Sequence, residues 1–344
     1  MKILHVITNT TFNIYYSTIN NLLKSLHQNS IEQNIIYDSE SLNGAFPGIS
    51  SLHVQYTKNI FGFNFKLFFS INKFNPDIVI TWGELARNFI GNTKYPHLSF
   101  VESISNMKSF SVCDYIFTNS ENILNFLKKN GWSGNRSIYL PPLIQNADWK
   151  KITKKDLYIP EHSKVIFSST GFFKAINTFP LFRAISFIPE LYLILTGHGP
   201  NINEVREAAT KAGVKPRIRI INNVNNINGL LNISEFSIFP FFDMEIKLSI
   251  LSSFKNKKLV IADQNYLTKE IIKDNYNGIM LYSTEYANIA NIIQKNLTDK
   301  SVHEEFINNA YNDYNNLYQE AKIIKQYINI FQKIIDDCKM NLQL

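Results

Sequence analysis

The sequence is poor in cysteine, in glycine and in long apolar runs. Only two of its 344 residues are cysteine and thirteen are glycine. Cys113 and Cys338 lie far apart and form no Cys-x-x-Cys or Cys/His pattern, which argues against a disulfide framework or a zinc site. Lys66 interrupts the most apolar stretch, residues 59–72, so we expect no membrane-spanning helix. Residues 1–7 are too short for the apolar region of a signal peptide, and we expect a cytoplasmic protein.

Basic residues outnumber acidic ones. The 35 Lys and Arg residues against 28 Asp and Glu residues give a formal net charge of +7. This excess suits phosphate-rich ligands or anionic surfaces, although a chain so rich in Asn, Ile, Lys and Tyr reaches it through composition alone. No helix-turn-helix, zinc-finger or RNP-type aromatic motif accompanies the charge, and we expect no nucleic-acid partner.

Short apolar strands alternate with helical segments, the pattern of parallel sheets covered by helices. The predicted strands are residues 2–7, 32–37, 78–81, 115–118 and 137–140 in the first half, and 164–169, 192–196, 217–221, 236–239, 259–262 and 278–281 in the second. Predicted helices include residues 14–27, a helix that Ser120 caps and Gly131 ends, and a long amphipathic helix over 301–339. The Pro141-Pro142 pair and the polar run 150–156 indicate a linker.

We therefore predict an α/β protein of two Rossmann-like domains that face a central cleft. Residues 1–155 form the N-terminal domain in this prediction, and residues 156–320 form the C-terminal domain. Residues 321–344 form a helix that packs back toward the N-terminal domain.

The best-formed local motif is residues 193–200, LILTGHGP, in which a strand runs into Gly197 and Gly199 and a helix follows. Glycines let backbone N–H groups approach a phosphate closely, and a helix N-terminus favours an anion. A plain tight turn has the same pattern, so the motif alone leaves ligand binding open.

Around this motif, the order of segments resembles a known family. The matching segments are a strand that ends at Gly171 with Lys174 soon after, the glycine motif, and residues 217–220 (RIRI), 239–240 (FP), 248–251 (LSIL), 258–262 (KLVIA), 270–274 (EIIKD) and 277–281 (NGIML). They resemble the C-terminal domain of the GT-B glycosyltransferases of family 4, glycosyl transferases group 1, over nearly all of residues 164–338. Residues 113–120, 131–132 and 136–141 are similar to lipopolysaccharide-type members.

The resemblance implies a GT-B fold and a retaining transfer of a sugar. The donor is a nucleotide sugar bound by the C-terminal domain, and the acceptor is a saccharide or lipid-linked precursor of a cell-envelope polysaccharide or lipopolysaccharide. No cofactor and no metal are implied, because the nucleotide-diphosphate sugar is a substrate whose charge is neutralised by basic side chains and helix dipoles. No catalytic residue is assigned.

Donor binding is implied for seven residues: Gly171, Lys174, Gly197, Gly199, Glu245, Ser252 and Glu270. The chain departs from the family here. Phe172 stands where the family has an arginine, which leaves Lys174 as the cation for the diphosphate and predicts tighter binding for Phe172→Arg. Met244 and Ser252 stand where the family has two glutamates spaced eight apart. Asp243 and Glu245 flank the first of these positions, and a one-residue shift places an acid there. Glu270 is equally explained as an acid at the start of its own helix.

Three residues are candidates for the acceptor side. Asn13 follows the first strand, Glu84 follows the strand 78–81, and His97 follows Pro96. Glu84 is also explained as an ordinary helix-start acid. His5, inside a strand, is interpreted as a core residue.

Two alternatives concern surfaces and activity. Cationic and aromatic side chains recur between residues 58 and 73, namely Lys58, Phe61, Phe63, Phe65, Lys66, Phe68, Phe69 and Lys73. They indicate either a peripheral contact with the inner face of the membrane or a buried core helix. The departures at the donor site leave a second function open, a catalytically silent GT-B protein that serves as partner or scaffold for an active glycosyltransferase.

Overall fold

The computed structural model describes residues 1–54, 65–83, 94–101, 110, 112–132, 134–146, 150–172, 175–222, 227–301 and 303–341. The chain forms two compact units. The first comprises Met1–Gln145 and Glu320–Leu344, and the second comprises Asn146–Gln319. Each unit has its own parallel sheet and its own core.

Thirteen strands and eleven helices are found within the described ranges. The strands are β1 (Lys2–Ile7), β2 (Glu32–Tyr37), β3 (Ser50–His53), β4 (Ile78–Trp82), β5 (His97–Phe100), β6 (Tyr115–Thr118), β7 (Ser137–Tyr139), β8 (Lys164–Ser169), β9 (Leu191–Gly197), β10 (Ile218–Asn222), β11 (Ser237–Phe239), β12 (Val260–Asp263) and β13 (Ile279–Leu281). The helices are α1 (Asn9–Ile14), α2 (Tyr16–Gln28), α3 (Phe65–Phe74), α4 (Glu121–Lys129), α5 (Phe179–Ser186), α6 (Ile202–Lys211), α7 (Ile227–Asn232), α8 (Ile246–Lys255), α9 (Tyr286–Thr298), α10 (His303–Leu317) and α11 (Glu320–Asn341).

The sheet of the first unit has the strand order β3-β2-β1-β4-β5-β6-β7, with parallel pairing throughout. The central strands β4 and β5 are buried at every position. Strands covered by helices on both faces read as continuous apolar runs, which made β1 and β6 recognisable. The predicted bounds of β1, β2 and β6 are confirmed residue for residue.

Local capping in the first unit follows the sequence. Ser120 accepts a hydrogen bond on Oγ from the Ile123 amide (3.3 Å) at the start of α4, and Gly131 beyond its end has φ +95°. Both predicted caps are confirmed. The last helix, α11, belongs to this unit: the Tyr327 hydroxyl donates to the carbonyl oxygen of Pro141 (3.0 Å), and Ser25 donates to Glu320 (2.7 Å).

The second unit repeats the topology with the strand order β10-β9-β8-β11-β12-β13. When the strands of each sheet are numbered along the chain, the second sheet has the order 3-2-1-4-5-6, and the first has the same order with a seventh strand at its end. In both sheets, the strand order reverses direction beside the first strand. In such sheets, ligands bind outside the carboxyl ends of the strands at this switch point. The switch point lies between β1 and β4 in the first unit and between β8 and β11 in the second.

The long final helix expected over 301–339 is two helices. α10 ends at Leu317 and α11 begins at Glu320. The interruption coincides with the passage of the chain from the second unit to the first, between Gln319 and Glu320. The apolar residues of the predicted single helix are thus divided: those of α10 belong to the second unit and those of α11 to the first. Within the described ranges, no helix has the length and apolar content that crossing a membrane requires.

Candidate functional site

Three loops of the second unit converge at its switch point. They follow β8, β9 and β11 at the carboxyl edge of the sheet. Loops at this edge carry ligand contacts in open α/β sheets, so the side chains that they bring together define the candidate site.

The glycine motif holds two of these loops together. A Cβ atom at Gly197 would overlap the carbonyl oxygen of Thr170, and one at Gly199 would lie 2.7 Å from the carbonyl oxygen of Phe172. The Phe172 amide also donates to the carbonyl oxygen of His198 (2.7 Å). The glycines permit this close approach of two backbones. Direct contact of Gly197 and Gly199 with a ligand stays a prediction.

Phe172 is a core residue. Its side chain is fully buried and packs in the main hydrophobic cluster of the second unit. An arginine at this position would bury a charge among apolar side chains, which is costly. Tighter nucleotide binding by Phe172→Arg requires that the pocket survive this buried charge, and it stays a prediction. Lys174, expected to contact the diphosphate, lies outside the described residues.

Asp243 joins the loop after β8 to the loop after β11. Its Oδ2 accepts hydrogen bonds from the Gly171 amide (2.5 Å) and the Thr170 hydroxyl (3.3 Å). Its Oδ1 accepts from the amide of Glu245 (2.7 Å), which is the N-cap residue of α8. The Gly171 amide, predicted to face the donor, is thus bonded to a carboxylate of the chain.

Lys247 and Glu270 form a buried ion pair at the same edge. The Lys247 ammonium lies 2.7 Å from Glu270 Oε2, and the two side chains are 3% and 10% exposed. Glu270 is the last residue of a 3-10 turn, so its carboxylate is not at the start of a helix. Sequence reasoning missed Lys247. The available signal was a cation in the first turn of a buried helix, where the helix dipole disfavours it unless an acid is near.

Glu245 and Ser252 lie on one side of α8. They are seven residues apart, which is close to two helical turns, and both are buried, at 8% and 6% exposure. The predicted ribose contact of Ser252 therefore has little accessible surface to act through. Their contact with a donor stays a prediction.

Two exposed aromatic rings stand at this edge. Phe242 follows β11 and Tyr266 follows β12, with exposures of 43% and 40%. Their ring centroids are 5.8 Å apart. The Tyr266 loop is held in place because Asn265 Oδ1 accepts from the amides of Leu267 (2.9 Å) and Thr268 (3.1 Å). Rigid exposed rings suit stacking on a base or on the apolar face of a sugar.

The acceptor-side candidates belong to the first unit. Asn13 lies in α1, but its side chain is outside what the structure describes, and Glu84 is outside it entirely. His97 begins β5, at the amino end of the strand and away from the edge where ligands bind. Its Nδ1 donates to the carbonyl oxygen of Val112 (3.2 Å), and its Nε2 accepts from the Thr81 hydroxyl (2.9 Å). This placement favours a structural role.

His5 is a core residue, as the sequence suggested. It is fully buried in β1, and the Trp82 indole N–H donates to its Nδ1 (3.3 Å). Burial lowers the pKa of His5 to about 3, so the ring is neutral at physiological pH.

Comparisons with known proteins relate the site-bearing unit to a family. Residues 150–313 match the family described as glycosyl transferases group 1. The chain is also similar to the lipopolysaccharide core biosynthesis glycosyltransferase LpsE of Rhizobium meliloti, with 19% identity over 259 residues, which are 74% of this chain and 75% of that protein.

Solved structures match nearly the whole chain. A glycosyltransferase from Rickettsia africae has 19% identity and a TM-score of 0.77 and covers 97% of this chain and 98% of its own. HepE of Anabaena, solved in complex with UDP and glucose, has 13% identity and a TM-score of 0.77 over 97% of this chain and 100% of its own. At these identities the likeness shows a shared fold.

Proposed function

We propose that the chain moves a sugar from a nucleotide-sugar donor to a cell-envelope acceptor, because residues 150–313 match the glycosyl transferases of group 1 and the chain has the GT-B fold. The acceptor class is a lipopolysaccharide or other envelope polysaccharide, and the transfer retains the configuration at the sugar carbon. The bond from that carbon to the diphosphate breaks, and a bond to an acceptor hydroxyl oxygen forms on the same face.

One observation carries this proposal. The family match falls on the second unit, in which hydrogen bonds and an ion pair hold the loops at the carboxyl edge of the sheet. The second unit spans Asn146–Gln319, and the match spans residues 150–313. Two solved structures of one relative support the donor class for that protein, since HepE was crystallised with UDP and glucose and with UDP-glucose. The name of LpsE supports a lipopolysaccharide acceptor in the same limited sense.

The chemistry requires positive charge beside the leaving diphosphate. Lys174 is the residue that we propose for this contact, on the resemblance of its sequence position. Lys247 lies in the first turn of α8 and stabilises the neighbouring loop through Glu270 (2.7 Å). Phe242 and Tyr266 supply an exposed aromatic surface at the same edge of the sheet.

Titration of the purified chain with UDP and with GDP by calorimetry tests the proposal. A donor site for a nucleotide sugar binds one of the two nucleotides, and UMP or GMP, which lack the second phosphate, bind more weakly. Absence of binding for all four would overturn the donor assignment.

Lys174→Ala sharpens this test. A hydrogen bond to a charged group is worth roughly 1.5–3 kcal/mol, and each 1.4 kcal/mol is about tenfold in affinity. We expect the variant to lose more than about tenfold in affinity for its nucleotide diphosphate. The matched control is Lys211→Ala, which removes an exposed cation from the last turn of α6. Equal affinity in the two variants would mean that the diphosphate lies elsewhere.

A second candidate function is a catalytically silent partner or scaffold for an active glycosyltransferase. The observation that favours it is that the Gly171 amide and the Lys247 ammonium, both suited to phosphate, are bonded to carboxylates of the chain itself. The nucleotide titration separates the two candidates, because a scaffold has no need of nucleotide affinity.

A lipid-linked acceptor would bring the protein to a membrane surface, and residues 58–73 are the segment that we propose for this contact. Residues 58–64 lie outside the described ranges, and Phe69, within α3, is 67% exposed. Sedimentation with vesicles of anionic and of neutral lipid tests this contact. Binding to the anionic vesicles alone is the expected result for a basic aromatic segment.

A further inference from the structure

Asp243 uses both carboxylate oxygens to connect backbone segments that are far apart in sequence. Oδ2 takes the Gly171 amide (2.5 Å) and the Thr170 hydroxyl (3.3 Å), 72 and 73 residues away. Oδ1 takes the amide of Glu245 (2.7 Å), two residues away. The first contact crosses the switch point from β11 to β8, and the second fixes the start of α8.

The loop after β8 is held from its other side by backbone alone. The Thr170 amide donates to the carbonyl oxygen of Thr196 (3.0 Å), and the Phe172 amide donates to that of His198 (2.7 Å). Asp243 supplies the opposing contacts. Residues 170–172 are therefore held between β9 and β11 by hydrogen bonds within the chain.

We propose that Asp243 is a positioning residue, which sets the loop after β8 against the N-terminus of α8 and so shapes the place where an anionic group of the ligand binds. This inference rests on the proposed function, since that group is the diphosphate of the nucleotide. Asp243 is not a phosphate contact itself, because two anions repel each other. Its charge is directed into N–H and O–H donors, which form charge-assisted hydrogen bonds.

The carboxylate is suited to this role by its two equivalent oxygens. An asparagine keeps one acceptor oxygen and turns an NH₂ group toward the second donor. Asp243→Asn therefore keeps one of the two connections, whereas Asp243→Ala loses both. The two variants separate the connecting role from simple occupation of space.

The test measures nucleotide affinity and loop protection in the same variants. For Asp243→Ala we expect UDP or GDP to bind roughly tenfold more weakly, because the loop after β8 and the start of α8 lose the connection that positions them. We also expect hydrogen exchange of the Gly171 amide to be at least about tenfold faster. Asp243→Asn should fall between Asp243→Ala and the unaltered chain. The control is Asp299→Ala, which also loses a carboxylate bonded to an amide two residues away, that of Ser301 (2.9 Å), but makes no such connection across the sheet edge.

Each outcome decides the proposal. Tighter binding in Asp243→Ala would show that the carboxylate competes with the ligand and would overturn it, as would unchanged affinity with unchanged exchange. Equal losses of affinity in Asp243→Ala and Asp299→Ala would show a general loss of charge or stability. If the unaltered chain binds neither nucleotide, the proposed function fails. The exchange rate of the Gly171 amide in folded Asp243→Asn then decides the positioning role. Exchange faster than in the unaltered chain supports the role, and an unchanged rate overturns it.

Discussion

In each unit, a backbone amide just after the first strand donates a hydrogen bond to an aspartate that follows a neighbouring strand. The two neighbouring strands lie on opposite sides of the first strand. In the first unit, the Asn9 amide after β1 donates to Asp38 Oδ1 (2.7 Å), and Asp38 follows β2. In the second unit, the Gly171 amide after β8 donates to Asp243 Oδ2 (2.5 Å), and Asp243 follows β11. Asp38 therefore lies away from its switch point, whereas Asp243 lies on it.

The switch point of the first unit is closed by small side chains. A Cβ atom at Gly83, just after β4, would overlap the Thr11 hydroxyl oxygen, and Thr11 bonds Thr8 (2.8 Å) at the start of α1. α1 follows β1 with only Thr8 between them, so the described residues form no extended loop directly after β1. Within the described ranges, the same strand order thus gives a short, packed junction after β1 and a hydrogen-bonded loop after β8. Topology fixes where a site lies, and the loop residues decide whether it exists.

The largest expected effect falls on the edge of the second unit. Lys247→Met leaves the Glu270 carboxylate buried without its cation, and breaking a buried pair in this way costs about 3–5 kcal/mol. The double variant Lys247→Met with Glu270→Leu should recover most of this loss. Urea unfolding followed by hydrogen exchange in each unit measures both changes. A loss shared equally by the first unit would contradict this reading of the pair, as would a single variant as stable as the unaltered chain.

A pair of glycine substitutions compares the two edges directly. Gly197→Ala would press a methyl group into the Thr170 backbone, which cannot move cheaply, and we expect a loss of about 3 kcal/mol. Gly83→Ala meets the Thr11 side chain at φ +79°, and we expect about 1–2 kcal/mol.

The control for this pair is Thr11→Ala. Combined with Gly83→Ala it should return part of the lost stability, because the obstructing hydroxyl is gone and only the backbone strain remains. Combined with Gly197→Ala it should return nothing. Thermal unfolding of the single and double variants measures this, and recovery in both combinations would mean that the two edges are not independent.

Much of the fold was predictable because its central strands are apolar and continuous. Residues 2–7 and 164–169 were identified at their observed bounds. Strand β3 was not predicted, since Ser50–His53 is a mostly exposed edge strand with none of the alternation that marks a half-buried one. Strand β5 begins with a buried histidine, which weakened the apolar signal.

The site was predictable only as far as local patterns reach. The Gly197-Gly199 motif was found, but the backbone that it approaches lies more than twenty residues earlier, at Thr170 and Phe172. Likewise, Asp243 and Gly171 are 72 residues apart, and Lys247 and Glu270 are 23 apart. Periodicity and motif spacing carry no information on such pairings, which arise when the strands assemble.

The two units are also expected to differ in how their stability depends on pH. The first strand of the first unit carries the buried His5, whose pKa burial lowers to about 3; the corresponding strand of the second unit, β8, has no histidine. Between pH 6.5 and 3 the unfolded chain binds a proton that folded His5 does not, so the stability of the first unit falls as the pH falls, by about 2 kcal/mol at pH 5. Burial raises the pKa of Asp38, which acts in the opposite sense. Hydrogen exchange of residues 2–7 and 164–169 at pH 7 and pH 5 measures the difference. His5→Gln, which does not titrate, should remove most of the pH dependence at residues 2–7 whatever it does to stability at pH 7. An unchanged slope in that variant would assign the acid sensitivity to another group.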